Sequence, residues 1–333
     1  MPLKNPAALS LAVVGAFAGI YFIWGTTYLA IALAIKTLPP FVSGAVRFSL
    51  AGLLMFAWLR ARSPQPLAGV DLKLAALCGV LLSGMGNGYV VWGQQQGIPS
   101  GIAALMVAAV PVIVLVFDWA FFSKRTPTKQ ALAGTAIAIA GVVAIVIHTH
   151  ELTGKANSLY LFAMLAATTA WSLGTLLQKR SARPETVLSF TCVQMFAGGV
   201  FQFAMSVIDN EWSGMDVAKF SPTSLLAVLY LMVFGSIVAL NCYLWLLTRV
   251  AAHKVTTYAL VNPVVALALG ALVLDEKITA VAVIAAVMVL LGVALVLFQD
   301  FSPSQMLRAW RERRGVSVPP ASLCKSHTGR SQQ

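Results

Sequence analysis

The chain has 333 residues, 59% of them apolar and 10% charged, with a mean hydropathy of +0.83. A water-soluble domain of that composition would aggregate, so the main solvent is lipid and a soluble enzyme is excluded. The formal charge of +12 raises the question of a nucleic-acid partner, which its distribution along the chain answers in the negative.

Apolar runs recur at about 11–35, 41–59, 74–94, 101–122, 130–148, 159–178, 186–208, 225–247, 252–274 and 279–298. Each is roughly 20 residues, about 30 Å of helix, which matches the hydrocarbon thickness of a bilayer. Transmembrane strands would be half as long and alternate in polarity. The expected fold is therefore an all-α membrane protein of ten transmembrane helices. The first run is too long for a signal-peptide core and leads into another span, so it is expected to stay in place. Cys78, Cys192 and Cys242 fall in separate spans and Cys324 in the tail, a spacing that suits neither a disulfide framework nor zinc.

With the N-terminus inside, the even-numbered loops and both termini hold 18 Lys or Arg, against Lys36, Lys155, Lys219 and Lys277 on the other face. Positive charge is retained on the cytoplasmic side, which places both termini there. The basic residues are thus explained by the bilayer, and no nucleic acid is expected.

The chain is also written twice. Trp24 and Trp171 stand 147 residues apart, and the same offset lays Arg47–Gly52 over Gln194–Gly199. Val110-Pro111-Val112 answers Asn262-Pro263-Val264 at 152, and Gly141 answers Gly292 at 151. The first repeat covers 11–148 and the second 159–298, joined by a polar stretch over 148–158. Five spans per repeat is an odd number, so the second repeat enters the bilayer from the opposite side and the repeats are inverted. The longest loop, 209–224, with Asp209, Glu211, Trp212 and Asp216, is expected as an outer cap. From 299 to 333 the chain is a basic cytoplasmic tail. Met306–Arg314 is either a short amphipathic helix on anionic lipid or an unstructured segment that enforces topology.

Catalytic and nucleotide motifs are missing. No lysine meets the Walker A pattern, and His150-Glu151-Leu-Thr-Gly154 has glycine where a zinc-protease helix needs its second histidine. No cofactor, metal or catalytic residue is expected, and no Asp or Glu occupies a span centre.

The candidate site is built from residues that do not belong in lipid. Trp24 and Trp171 lie about 12 to 13 residues into their spans, roughly 18–20 Å deep, as packing or as symmetry-related walls of a cavity. Pro111 and Pro263 each release a carbonyl, of Val107 and Ala259, and bend helices around that space. Asn87 and Asn241 recur in the same Asn-x-Tyr setting, with Tyr89 and Tyr243, and Asn262 adds a third buried amide. Their partners are either other helices or a solute. Arg47, the charge furthest inside a span, must snorkel outward or meet carbonyls and a substrate anion. Thr26, Thr27, Tyr28, Ser172 and Tyr258 are further candidates. Asp118 lies near the inner end of span four beside Lys124 and Arg125, where an interfacial salt link is expected.

At Ile23-Trp-Gly-Thr-Thr-Tyr28, Pro39-Pro40 with Arg47-Phe48, Pro99–Ala104, Val110-Pro111, Tyr258–Pro263 and Asp275-Glu276, the chain resembles the EamA family of the drug/metabolite transporter superfamily. The likeness covers about 11–298. It implies two inverted five-helix repeats, a central pathway lined mainly by spans 1, 3, 4, 6, 8 and 9, and export of metabolites or amino acids across a bacterial inner membrane. The reading is a secondary transporter of a small organic molecule with a midplane site, whose cargo is neutral, zwitterionic or anionic. The alternatives are a passive small-solute channel and, further off, a membrane-embedded enzyme.

Overall fold

The computed structural model describes residues 6–124, 126–153, 158–181, 183, 185–250 and 255–298. The tail from 299, with its expected amphipathic segment, lies outside the described residues, as does Arg125.

Ten apolar helices follow one another: span one Pro6–Ala34, two Pro40–Arg62, three Leu72–Gln95, four Ser100–Ser123, five Lys129–Thr153, six Ser158–Ser181, seven Val187–Ile208, eight Pro222–Arg249, nine Tyr258–Leu274 and ten Ala280–Leu297. Among the described residues nine are long enough to cross a bilayer, and span nine is shorter at 17 residues. Span five runs on to Thr153, so the start of the expected polar linker is helical.

The helix starts follow local chemistry. Pro40 and Pro222 sit where a helix has no use for an N–H, Ser221 accepts from Ser224 N, and Asp71 caps span three through Leu74 N at 3.0 Å. Spans four and nine end alike, on Lys124 at φ 53° and Asp275 at φ 55°. Two left-handed non-glycine residues 151 apart extend the echo heard in the sequence.

Two further features repeat. Span three passes through a π-helical segment at Gly79–Gly86, and span eight through one at Leu231–Val238. These segments have equal length and stand 152 residues apart, the offset of Pro111 and Pro263. The wider turn of a π-helix re-aims the side chains that follow it. The contacts between repeats are also reciprocal. A methyl group at Gly52 would lie 2.9 Å from Phe196 N, and one at Gly199 would lie 2.6 Å from Ser49 N. Gly141 faces Val289 N at 2.9 Å, and Gly292 faces Ala138 N at 2.5 Å. Each pair exchanges into its partner under the repeat offset, as a two-fold relation between the halves requires.

The two prolines behave differently. Span four breaks after Val107, turns through Ala108 and Ala109, and restarts with Pro111 in the first turn of Val110–Phe117. Pro263 instead lies inside the continuous helix Tyr258–Leu274, in its first third and not at mid-span.

One end of the bundle is tied together across the repeats. Glu211, from the loop after span seven, accepts from Phe41 N at 3.0 Å and Val42 N at 2.8 Å. Glu276, from the loop after span nine, accepts from Ser100 N at 2.8 Å, Ser100 Oγ at 2.9 Å and Gly101 N at 3.4 Å. Both carboxylates satisfy orphan N–H groups at the start of a helix of the other repeat. At the same end Trp92 Nε1 donates to Asp209 at 3.1 Å, Ser221 N to Thr37 at 3.0 Å, and Ser224 Oγ to Leu33 O at 2.8 Å.

Candidate substrate cavity

Between the repeats lies a partly open cavity of about 720 Å³, a volume that includes space open to solvent. Span one contributes Trp24, Thr27, Tyr28 and Ile31, and span two Arg47 and Phe48. Span three adds Ser83, Gly86, Asn87 and Val90, and span four adds Val107 beside its break. From the second repeat come Ala167, Thr168, Trp171, Gly235, Leu240, Tyr258 and Asn262.

The indoles of Trp24 and Trp171 meet edge to face, centroids 5.9 Å apart at 83°. Trp24 also packs on Tyr258 at 4.8 Å and Tyr243 at 5.2 Å, and its Nε1 donates to Gly235 O at 3.3 Å. It is therefore both wall and keystone of an aromatic cluster. Trp171 is the freer ring. Its Nε1 lies against the Tyr258 hydroxyl, whose own proton has no acceptor, and a methyl group at Gly86 would lie 3.0 Å from its ring.

Arg47 does not snorkel. Only 5% exposed, it donates from Nε to Ser236 Oγ at 2.8 Å and from Nη1 to Asn87 Oδ1 at 3.3 Å, with its guanidinium 4.5 Å from the Phe48 ring centre. Both polar partners are neutral. The π-helical segment of span eight presents Ser236 to it and leaves Gly235 bare beside it. Gln194, its counterpart in the other repeat, lies outside the cavity and accepts from Gln178 at 2.6 Å.

Seven of the candidates stand outside this lining. Asn241 lines an outer groove with Gly15, Leu188 and Trp245, and its Nδ2 donates to Ile237 O at 2.6 Å. The Asn-x-Tyr match aligned it with Asn87 at an offset of 154. The offset of 152 that superposes the π segments pairs Asn87 with Ala239, and Tyr89 with Asn241. Two residues are about 200° of helix, so Asn241 faces away from the cavity. Tyr243 backs Trp24 and its hydroxyl approaches Thr175 at 3.5 Å. Tyr89 meets Phe41 edge to face at 6.4 Å. The Thr26 hydroxyl bonds Ile23 O and the Tyr230 hydroxyl. Ser172 Oγ donates to Thr168 O at 2.7 Å and reaches Val110 O at 3.4 Å, which couples span six to the broken span four. Pro111 and Pro263 shape the wall without lining it.

Asn262 does line it, and its amide nitrogen donates to the carbonyls of Tyr258 and Tyr21 at 3.2 Å each; the reverse orientation would set oxygen against oxygen. Ser83, Gly86, Thr168, Gly235 and the Arg47 partner Ser236 had no place among the candidates. Their signal was the small-residue run Ser83-Gly84-Met-Gly86 and its echo Gly235-Ser236 at the 152 offset. The expected link from Asp118 to Lys124 does not form, the described ion pair being Lys219–Asp216 at 3.5 Å. Among the described residues no cluster of three His, Cys, Asp or Glu could hold a metal.

The sequence pattern of the EamA-like transporter family matches residues 10–147 and again 158–298. The chain belongs to that family. It is thus a multi-pass membrane transporter. The chain is 35% identical to the "Uncharacterized inner membrane transporter YedA" of Escherichia coli K12, over 85% of this chain and 89% of that protein. It is 27% identical to the "Probable amino-acid metabolite efflux pump" of the same organism, over 84% and 92%. A solved crystal structure shares the fold at a TM-score of 0.59 with 19% identity, covering 86% of this chain and 96% of its own.

Proposed function

We propose that this EamA-family protein is a secondary transporter of the bacterial inner membrane that exports a small organic molecule by alternating access. The observation that carries the reading is one cavity walled by both repeats, with Trp24 and Trp171 in contact across it. A rocking motion of one repeat against the other would open that wall to each side in turn. The Glu211 and Glu276 caps join the repeats at one end, which supports a state closed there. The distribution of basic residues supports that end as the outer one, with both termini cytoplasmic and the repeats inverted. The names of the two relatives support the inner membrane and the outward direction.

The test is counterflow in proteoliposomes, after a thermal-shift screen of purified protein has supplied ligands. A transporter exchanges labelled for unlabelled solute, saturates, and returns the solute unchanged. Flux without counterflow means a channel, and a covalently altered solute means an enzyme. Orientation is read separately. Cysteines placed in the loops after spans two, four and six should resist an impermeant thiol reagent in intact cells, and those in the loop after span seven should react.

A further inference from the structure

We propose that Arg47 is the counter-charge of an anion subsite, and that the cavity takes an organic carboxylate with an aromatic body and no ammonium group. The inference rests on the reading above that this cavity holds the cargo.

A guanidinium offers five N–H donors in one plane. The described bonds use two of them, on Ser236 and Asn87, and neither acceptor carries charge. Nη2 makes no hydrogen bond among the described residues. It faces the position where Gly235 has no side chain, since a methyl group there would lie 3.1 Å from it. A buried cation without an opposing charge is costly unless something supplies one. No Asp or Glu lines the cavity. Glu211 and Glu276 are committed to helix starts at one end of the bundle, and Asp118 lies near the last turn of span four.

The neutral groups of the same wall offer both a donor and acceptors, so the charge decides. Trp171 Nε1 lies against the Tyr258 hydroxyl, whose own proton has no acceptor. The hydroxyls of Thr27 and Thr168 donate to Trp24 O at 2.6 Å and Met164 O at 2.9 Å, which leaves their oxygens as neutral acceptors. The one charge of the wall is therefore the Arg47 guanidinium, with donors to spare and no anion facing it. A carboxylate brings the missing acceptors and matches the guanidinium fork. An ammonium group would find no carboxylate to pair with, so a zwitterion gains at one end and loses at the other. The remaining lining, Trp24, Phe48, Trp171 and Tyr258 above all, suits a flat apolar body.

The test compares four ligands of one shape on detergent-purified full-length protein: 3-phenylpropionate, 3-phenylpropanamide, phenylalanine and 2-phenylethylamine, by calorimetry near neutral pH. The acid should bind about tenfold or more tighter than the amide and phenylalanine, with the amine weakest. In Arg47→Gln the acid should fall to the level of the amide, while Arg47→Lys keeps part of the preference. The comparison on the unmutated protein decides even where Arg47→Gln does not fold. Amide or amine binding as tight as the acid, or no binding of any of the four at millimolar concentration, overturns the subsite. Flux plays no part in this measurement. Loss of the acid preference leaves transport to its own counterflow test, and acid-selective binding without counterflow would keep the subsite and remove the transporter.

Discussion

The two carboxylate caps should act as a lock on the outer side of the cavity. Glu276 makes three hydrogen bonds to the start of span four, and Glu211 two to the start of span two. Each crosses from the second repeat to the first, so an outward-open state must break both or carry their partners along. Losing a helix cap is worth about 1 kcal/mol, and the two sites share no partner, so their effects should add. Removing both by Glu276→Ala and Glu211→Ala then shifts the balance by about 2 kcal/mol, roughly thirtyfold in the population of the open state. Thr27→Cys, in a chain whose four native cysteines are replaced by alanine, reports that population through its labelling rate with an impermeant maleimide applied from outside. Each single change should raise the rate severalfold, and the double change roughly thirtyfold. Asp209→Ala, which removes the exposed bond to Trp92 and a charge near Glu211 but leaves both caps in place, should do much less. A double variant that folds normally and labels at the parent rate would show that the caps stabilise helices without holding the gate.

Trp171→Ala should weaken ligand binding about tenfold with little loss of thermal stability, whereas Trp24→Ala, at the centre of the aromatic cluster, should also destabilise by about 3–5 kcal/mol. Trp58→Ala, at a ring 47% exposed, is the control; equal binding by all three variants would make both indoles packing. Asp118→Asn should retain most counterflow, also with the proton gradient collapsed, since no described residue pairs with its carboxylate and no carboxylate lines the cavity; abolition of counterflow in a folded protein would reinstate a proton site. Burial raises the Glu211 carboxyl above its ordinary value of 4.5, with the Phe41 and Val42 amides opposing the rise and Asp209 adding to it. The folded state therefore holds that proton more tightly than the unfolded chain does, so its contribution is present at low pH and is lost as pH climbs through the raised value. Melting temperature across the acid range should fall with rising pH more steeply in the parent than in Glu211→Gln, and the opposite order would contradict the assignment.

The fold was legible because bilayer thickness and charge retention act on every span at once. Ten runs, the echoing motifs and the family motifs each carried the same architecture independently. Individual side chains were harder to place, because a span's apolar composition says nothing of which face meets protein. Trp24, Thr27, Tyr28, Arg47, Asn87, Trp171, Tyr258 and Asn262 were found as polar or aromatic residues at depth, where lipid penalises them. Ser83 and Thr168 escaped notice because small hydroxyl residues bond their own helix backbone and are common in any span. The π-helical segments left no direct mark in composition. Their effect is geometric: an enlarged turn changes which residue of span eight reaches Arg47, and Ser236 became its partner through that change.

Asn241 shows how far a motif can mislead when the helix between it and the rest of the repeat is irregular. The Asn-x-Tyr pattern aligns it with Asn87, yet the π segments and the prolines keep an offset of 152, and the left-handed ends of spans four and nine one of 151. A discrepancy of two residues rotates a side chain to about the opposite face, and the bonding follows: Asn87 accepts from Arg47 inside the cavity, while Asn241 bonds its own helix at an outer groove. The two asparagines should therefore respond differently to loss of the amide. Asn87→Ala removes a neutral acceptor from a buried cation, a change on the order of 1 kcal/mol that should alter ligand affinity roughly threefold to tenfold. Asn241→Leu should leave affinity unchanged, because its nearest cavity residue is the backbone neighbour Leu240. Calorimetry on both variants with the same ligand is sufficient. Equal losses would restore the motif alignment and place Asn241 on the transport path, at the expense of the register set by the π-helical segments.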